Sequence, residues 1–102
     1  MLHNTNEANF QKDVLESPIP VLVDFWADWC QPCKAMVPVL EAVAAKYEGH
    51  VRVMKVDMDA HPELGVAYGV RSLPTLMLFE NGKVKAKRSG AAPTAVVEAL
   101  LA

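Results

Sequence analysis

The sequence predicts an α/β fold in which a mixed central β-sheet is flanked by helices on both faces. Residues 21–27, Val-Leu-Val-Asp-Phe-Trp-Ala, are apolar on both alternations except at Asp24, as an interior strand covered on two sides must be. A helical-period run follows, with Met36, Leu40, Val43 or Ala44, and Tyr47 on one stripe. A second apolar segment at 51–56 then completes a βαβ order. Asn81-Gly82 separates two further strand-like runs, 75–79 and 83–87, and that dipeptide marks an antiparallel hairpin.

Taken in order, Thr5 is placed to cap a weak helix carrying Phe10, Val14 and Leu15, which Ser17-Pro18-Ile19-Pro20 breaks. The strand at 21–27 runs into the turn Trp29-Cys30-Gln31-Pro32-Cys33, and the helix beyond it is expected to reach Gly49. Pro38 falls inside that helix, where it removes one backbone donor and crowds the Lys34 carbonyl, so a kink is expected there. After the strand at 51–56, a short helix should begin near Asp59 and Pro62 and be interrupted at Gly65. Following the hairpin, Pro93 opens a last helix with Val96, Val97, Leu100 and Leu101.

The whole chain, 102 residues with 52% hydrophobic and 22% charged content, suits one globular domain over residues 1–102 and is too short for two. A net charge of −2 gives no pull toward nucleic acid or an anionic membrane. No apolar run approaches the roughly 18 residues of a spanning helix. Residues 1–9 lack the basic start and apolar stretch of a secretory signal, which points to the cytoplasm.

The only two cysteines are Cys30 and Cys33. So close a pair cannot staple distant loops, so its chemistry is local. Half of a zinc site is one alternative, but such a site needs four ligands, and neither a second cysteine pair nor a suitably spaced histidine pair accompanies it. Haem attachment would need a histidine where Lys34 stands. A dithiol remains. Cys30 would lie where the strand ends and the helix begins, where unpaired N–H groups and the helix dipole favour a thiolate. It is therefore expected as the exposed nucleophile. Pro32 fits the first helical turn, and Cys33, one turn on, is positioned to resolve the mixed disulfide. Asp24, a carboxylate on an apolar strand, should be buried with a pKa above the roughly 3.9 of free Asp, and could exchange a proton with Cys33. Its alternative is a solvent-facing place at a strand edge.

The segment Asp24-Phe25-Trp26-Ala27-Asp28-Trp29-Cys30-Gln31-Pro32-Cys33-Lys34 closely resembles the active-site segment of thioredoxins. The likeness continues through Pro38, Lys55, Asp57, Tyr68-Gly69-Val70-Arg71, Pro74-Thr75, Phe79, Asn81-Gly82 and Gly90. Thioredoxins are also the standing example of a Cys-x-x-Cys beside a βαβ pattern. The resemblance implies the thioredoxin fold and a protein disulfide reductase working through a reversible Cys30–Cys33 disulfide. It implies no bound cofactor or metal, and a flavin-dependent thioredoxin reductase that brings in NADPH indirectly. It makes Asp24 the proton exchanger for Cys33 and puts Lys55 beside it, where it would hold the carboxylate ionised; a lysine snorkelling off a strand end is the other reading of Lys55. It makes Leu73–Pro74 a cis bond facing the cysteines. Leu73 then offers backbone hydrogen bonds to a substrate strand, and Gly90 keeps the same groove open. Trp29 joins the contact surface, while Trp26 packs against the fold. A monomer is expected.

Two rival functions share these residues: a thiol oxidase or isomerase running the pair in reverse, and a non-catalytic subunit that binds partners through Trp29 and Pro74. The proline between the cysteines and the absent signal favour the reductase. A pure binding surface would need neither the cysteines nor Asp24. Lys83, Lys85, Lys87 and Arg88 read as a solvated edge strand more readily than as a nucleic-acid site. The chain departs from the family at Gln31, where most thioredoxins have glycine, and at Ser89, where an apolar residue is usual. Gln31 and Pro32 should therefore set the redox poise. The reduction potential of Gln31→Gly, measured against glutathione, should differ from that of the unaltered protein; equal potentials would show that Gln31 does not tune the pair.

Overall fold

The computed structural model describes residues 2–102; Met1, the first residue of the expected domain, lies outside the described residues. The chain forms β1 (Leu2–Asn4), a short π-helical turn (Gln11–Leu15), β2 (Val21–Trp26), α1 (Gln31–Lys46), β3 (Arg52–Asp57), α2 (Pro62–Ala67), β4 (Thr75–Glu80), β5 (Lys83–Ser89) and α3 (Thr94–Leu100). The sheet order is β1-β3-β2-β4-β5. β1 and β2 lie parallel on either side of β3, and β4 and β5 are antiparallel. This is the expected mixed sheet of the thioredoxin fold.

Two apolar layers cover the sheet. Leu22, Val53, Leu76 and Leu78 pack with Met36, Leu40 and Val43 of α1 and Val97 of α3. Val21, Val23, Phe25, Met54, Val56, Met77 and Phe79 pack with Phe10, Val14 and Leu64 on the other side. The alternation along β2, β3 and β4 feeds one layer and then the other, as the two-residue period of a strand requires. In α1 the buried residues Cys33, Met36, Leu40, Val43 and Ala44 recur at helical spacing. The helix continues past Pro38, which lies on its exposed side.

The structure adds one element and corrects three local expectations. β1 has no counterpart in the sequence reading, because three residues are too few to show an alternation. Thr5 does not cap a helix. Its N–H donates to the Lys55 carbonyl (2.9 Å) at the end of β1, and its hydroxyl donates to Asp13 Oδ2 (2.9 Å). With its backbone committed to the sheet edge it cannot start a helix, and the π-helical turn begins after Phe10 with no side-chain cap. Helix α1 ends at Lys46 rather than Gly49, and Gly49 serves in the following turn at φ 83°. Gly65 does not interrupt α2: it is buried within the helix, and a Cβ there would run into the Met58 side chain. Its smallness serves close packing, not helix termination.

The β4–β5 turn takes positive φ at both central residues, Asn81 (54°) and Gly82 (78°), the geometry that matches the right-handed twist of a hairpin. The register of β5 slips between Leu78 and Phe79, whose partners are Ala86 and Val84, which leaves Lys85 as the extra residue of a bulge. That bulge and the exposed lysines protect the free edge from pairing with another strand, and Lys85 is ion-paired to Glu80 at 2.9 Å. A Gly82→Ala substitution would force a left-handed backbone on an L-residue and bring its Cβ to 3.2 Å from the Leu15 carbonyl oxygen. It should lower stability by about 1–2 kcal/mol, read as a reduced urea midpoint with an unchanged slope.

Candidate active site

The chemistry sits where β2 hands over to α1. The Cys30 N–H donates to the Ala27 carbonyl (3.1 Å), closing the turn through Asp28 and Trp29. Cys30 is then the N-cap of α1, in an extended conformation (φ −90°, ψ 106°), with Pro32 in the first turn. At that position a proline lacks only an N–H that has no helical partner anyway. Cys30 and Cys33 are joined as a disulfide with Cα atoms 5.3 Å apart, and Cys30 Sγ accepts the Cys33 N–H at 3.2 Å. A sulfur at the first turn of a 16-residue helix thus faces backbone donors and the positive end of the dipole, which stabilise negative charge there.

Cys30 is not the exposed thiol the sequence reading expects. It is 4% exposed and Cys33 2%. Ala27, Trp26 and Leu73 pack around the pair, so only a narrow part of Cys30 reaches solvent. The surface around it is supplied by its neighbours: Gln31 and Pro32 are exposed, and Trp29 is 68% exposed. The indole of Trp29 is held from below, its Nε1–H donating to Asp59 Oδ1 at 3.3 Å. Asp57 Oδ1 in turn accepts from the N–H groups of Asp59 (2.9 Å) and Ala60 (3.3 Å). Asp59 enters the sequence reading only as a helix start, since a contact across 30 positions leaves no local signal.

Opposite the cysteines, Leu73 is half-buried against the disulfide and the Leu73–Pro74 bond is cis. The Thr75 hydroxyl donates to the Ser72 carbonyl (2.6 Å) and closes that loop. The Gly90 N–H donates to the Pro74 carbonyl (2.8 Å), so the two loops are neighbours. Gly90 has φ 91° and open space where a side chain would begin; its left-handed backbone, not crowding within the chain, calls for glycine.

Asp24 is 1% exposed, and neither carboxylate oxygen has a hydrogen-bond partner. The solvated-edge alternative therefore falls. It shares a face of β2 with Leu22, on the side covered by α1, and in register it stands between Lys55 of β3 and Leu76 of β4. Burial pushes its pKa up to about 7, against a smaller opposing pull from Lys55. The Lys55 ammonium lies 4.3 Å from the ring centroid of Trp26, which satisfies it by a cation–π contact. Trp26 Nε1 is buried without a partner. The two charged breaks in the apolar strands thus become neighbours, and the tryptophan beside the disulfide covers the lysine. Among the described residues no group of three or more His, Cys, Asp or Glu side chains is placed to hold a metal ion.

The chain matches the protein-family model described as Thioredoxin over residues 1–102. It is 47% identical over 98 residues to Thioredoxin C-2 of Corynebacterium nephridii, covering 96% of this chain and 91% of that one. It is 46% identical over 98 residues to a thioredoxin of Pseudomonas aeruginosa, with the same coverage. A thioredoxin of Rickettsia felis is 46% identical over 90 residues, 88% of this chain and 86% of that one.

The raised pKa of Asp24 links the site to stability. The folded protein keeps the Asp24 proton up to about pH 7, whereas an unfolded chain releases it near 3.8. Stability from this group is therefore complete below about pH 4 and is lost progressively as pH rises to about 7. An Asp24→Asn variant removes the cost of burying a charge. It should be more stable than the unaltered protein at pH 8 by about 2–4 kcal/mol, with the difference vanishing toward pH 4 in urea titrations at the two pH values.

Proposed function

The chain belongs to the thioredoxin family, and from that premise we propose the roles of its site residues in thiol–disulfide exchange. The protein is a thiol–disulfide oxidoreductase that reduces protein disulfides. In the reduced state the Cys30 thiolate attacks one sulfur of a substrate disulfide, forming a mixed disulfide and releasing the other sulfur as a thiolate. Cys33 then loses its proton and attacks Cys30 Sγ, releasing the second substrate thiol and closing the Cys30–Cys33 disulfide. Two electrons pass to the substrate. The observation that carries this assignment is the disulfide at the first turn of α1, with Cys30 at the N-cap.

Asp24 accepts the Cys33 proton. Its pKa near 7 suits a group that must take up and release a proton at neutral pH, and Lys55 keeps that pKa from rising further. Substrate docks on Trp29, Leu73, Pro74 and Gly90, with the Leu73 backbone pairing to an extended substrate segment. Gln31 and Pro32, solvent-facing between the sulfurs, set the poise of the pair.

The family has protein substrates and a reductase partner. For this chain we assign the recharging step to a flavin-dependent thioredoxin reductase that draws on NADPH, the chain itself holding no cofactor. One domain over residues 1–102, a monomeric state and a cytoplasmic location complete the proposal. Among the described residues no helix is long and apolar enough to cross a membrane.

Insulin reduction tests the scheme. Cys30→Ser should abolish turnover, and Cys33→Ser should stop after one attack and accumulate a covalent complex with substrate, visible on a non-reducing gel. Turnover surviving Cys30→Ser, or no trapped complex with Cys33→Ser, would overturn the assigned order of attack.

A further inference from the structure

We infer that Met36 is a positioning residue, its thioether fixing the loop at residues 90–92 against the helix that carries the redox pair. The inference rests on the reading of Leu73, Pro74 and Gly90 as the docking wall.

Ala92 is 7% exposed and Met36 1%. A buried backbone N–H requires an acceptor, and the one that Ala92 finds is the sulfur of Met36, at 3.2 Å. Met36 lies three residues after Cys33, on the same buried face of α1. Two positions before Ala92, the Gly90 N–H is fixed to the Pro74 carbonyl at 2.8 Å, and Leu73 packs against the disulfide. These contacts close a circuit from Cys33 through Met36, Ala92, Gly90 and Pro74 to Leu73 and back to the sulfur pair. The covalent chain supplies the other links; Ala92 packs in the apolar layer with α1, and the Met36–Ala92 bond adds a directional tie between the loop and the helix.

The residue type matters. Met fills apolar volume like Leu, yet its thioether also accepts a weak hydrogen bond. A leucine would pack in the same space and leave the Ala92 N–H without a partner. The loop would then shift to hydrate that group, moving Gly90 relative to Pro74 while leaving both sulfurs and Asp24 in place. The cost falls on docking an extended protein segment, not on sulfur exchange.

Met36→Leu tests this, with Met77→Leu as its control. Met77 is equally buried, in the opposite apolar layer. The readouts are single-turnover rates of the prereduced proteins against insulin concentration and against 2-hydroxyethyl disulfide, which is too small to need the groove, together with amide hydrogen exchange at Ala92. Met36→Leu should raise the half-saturating insulin concentration about five-fold, the loss expected for one hydrogen bond. Its limiting rate and its small-disulfide rate should stay within two-fold, the mark of lost ground-state binding. Ala92 exchange should quicken about ten-fold, and Met77→Leu should change none of these. An unchanged half-saturation in Met36→Leu, an equal change in Met77→Leu, or a parallel fall in the small-disulfide rate overturns the inference. Trp29→Ala separates the two levels. If it raises half-saturation while Met36→Leu does not, only this inference fails; if neither does, the docking surface fails with it.

Discussion

Burial of β2 on both faces is the constraint on which the rest of the structure depends. Val21, Leu22, Val23 and Phe25 are all removed from water, each worth about 1.5–3 kcal/mol relative to exposure. A strand buried in this way needs a hydrogen-bonded neighbour on each edge and a helical layer on each face. β3 and β4 supply the first; α1 and α3 on one side, and the π-helical turn and α2 on the other, supply the second. The sheet becomes mixed because β3 reaches its place through the α1 crossover, whereas β4 arrives antiparallel and returns through a two-residue turn.

That same burial creates the electrostatics of the site. A carboxylate at position 24 is desolvated because the strand around it is, and no donor reaches it. Its charge is opposed by a low-dielectric surround and relieved only by Lys55 on the neighbouring strand. The lysine is in turn drawn over the Trp26 ring. A polar group left unsatisfied in a core costs stability, and such costs concentrate at sites where a proton must move. An ionised Asp24 is therefore a cost to the fold.

The reacting sulfurs occupy the one place where the buried strand meets a helix start. Backbone donors at the helix start favour negative charge there, and the packing of Ala27, Trp26 and Leu73 leaves only a small opening. The rim around the sulfurs is formed by an exposed indole anchored on Asp59 and by two loops tied by the Gly90–Pro74 hydrogen bond.

Much of this was legible in the sequence because it is local. The double-sided apolarity of residues 21–27, the helical stripe of α1, the Asn81-Gly82 turn and the two-residue gap between the cysteines each declare themselves within a few positions. Asp24 declared itself as a charge in an apolar run. The sequence did not determine what depends on residues distant in the chain. β1 exists only because β3 offers it an edge, and Thr5 is drawn into the sheet by the Lys55 carbonyl. Gly65 must be a glycine within α2 because Met58 occupies the space a side chain would take. The shielding of Cys30 by Leu73, and the bond from Ala92 to Met36, join segments more than 40 positions apart. Period and propensity act over one or two turns; which groups are desolvated, and against what, is decided only when the layers close.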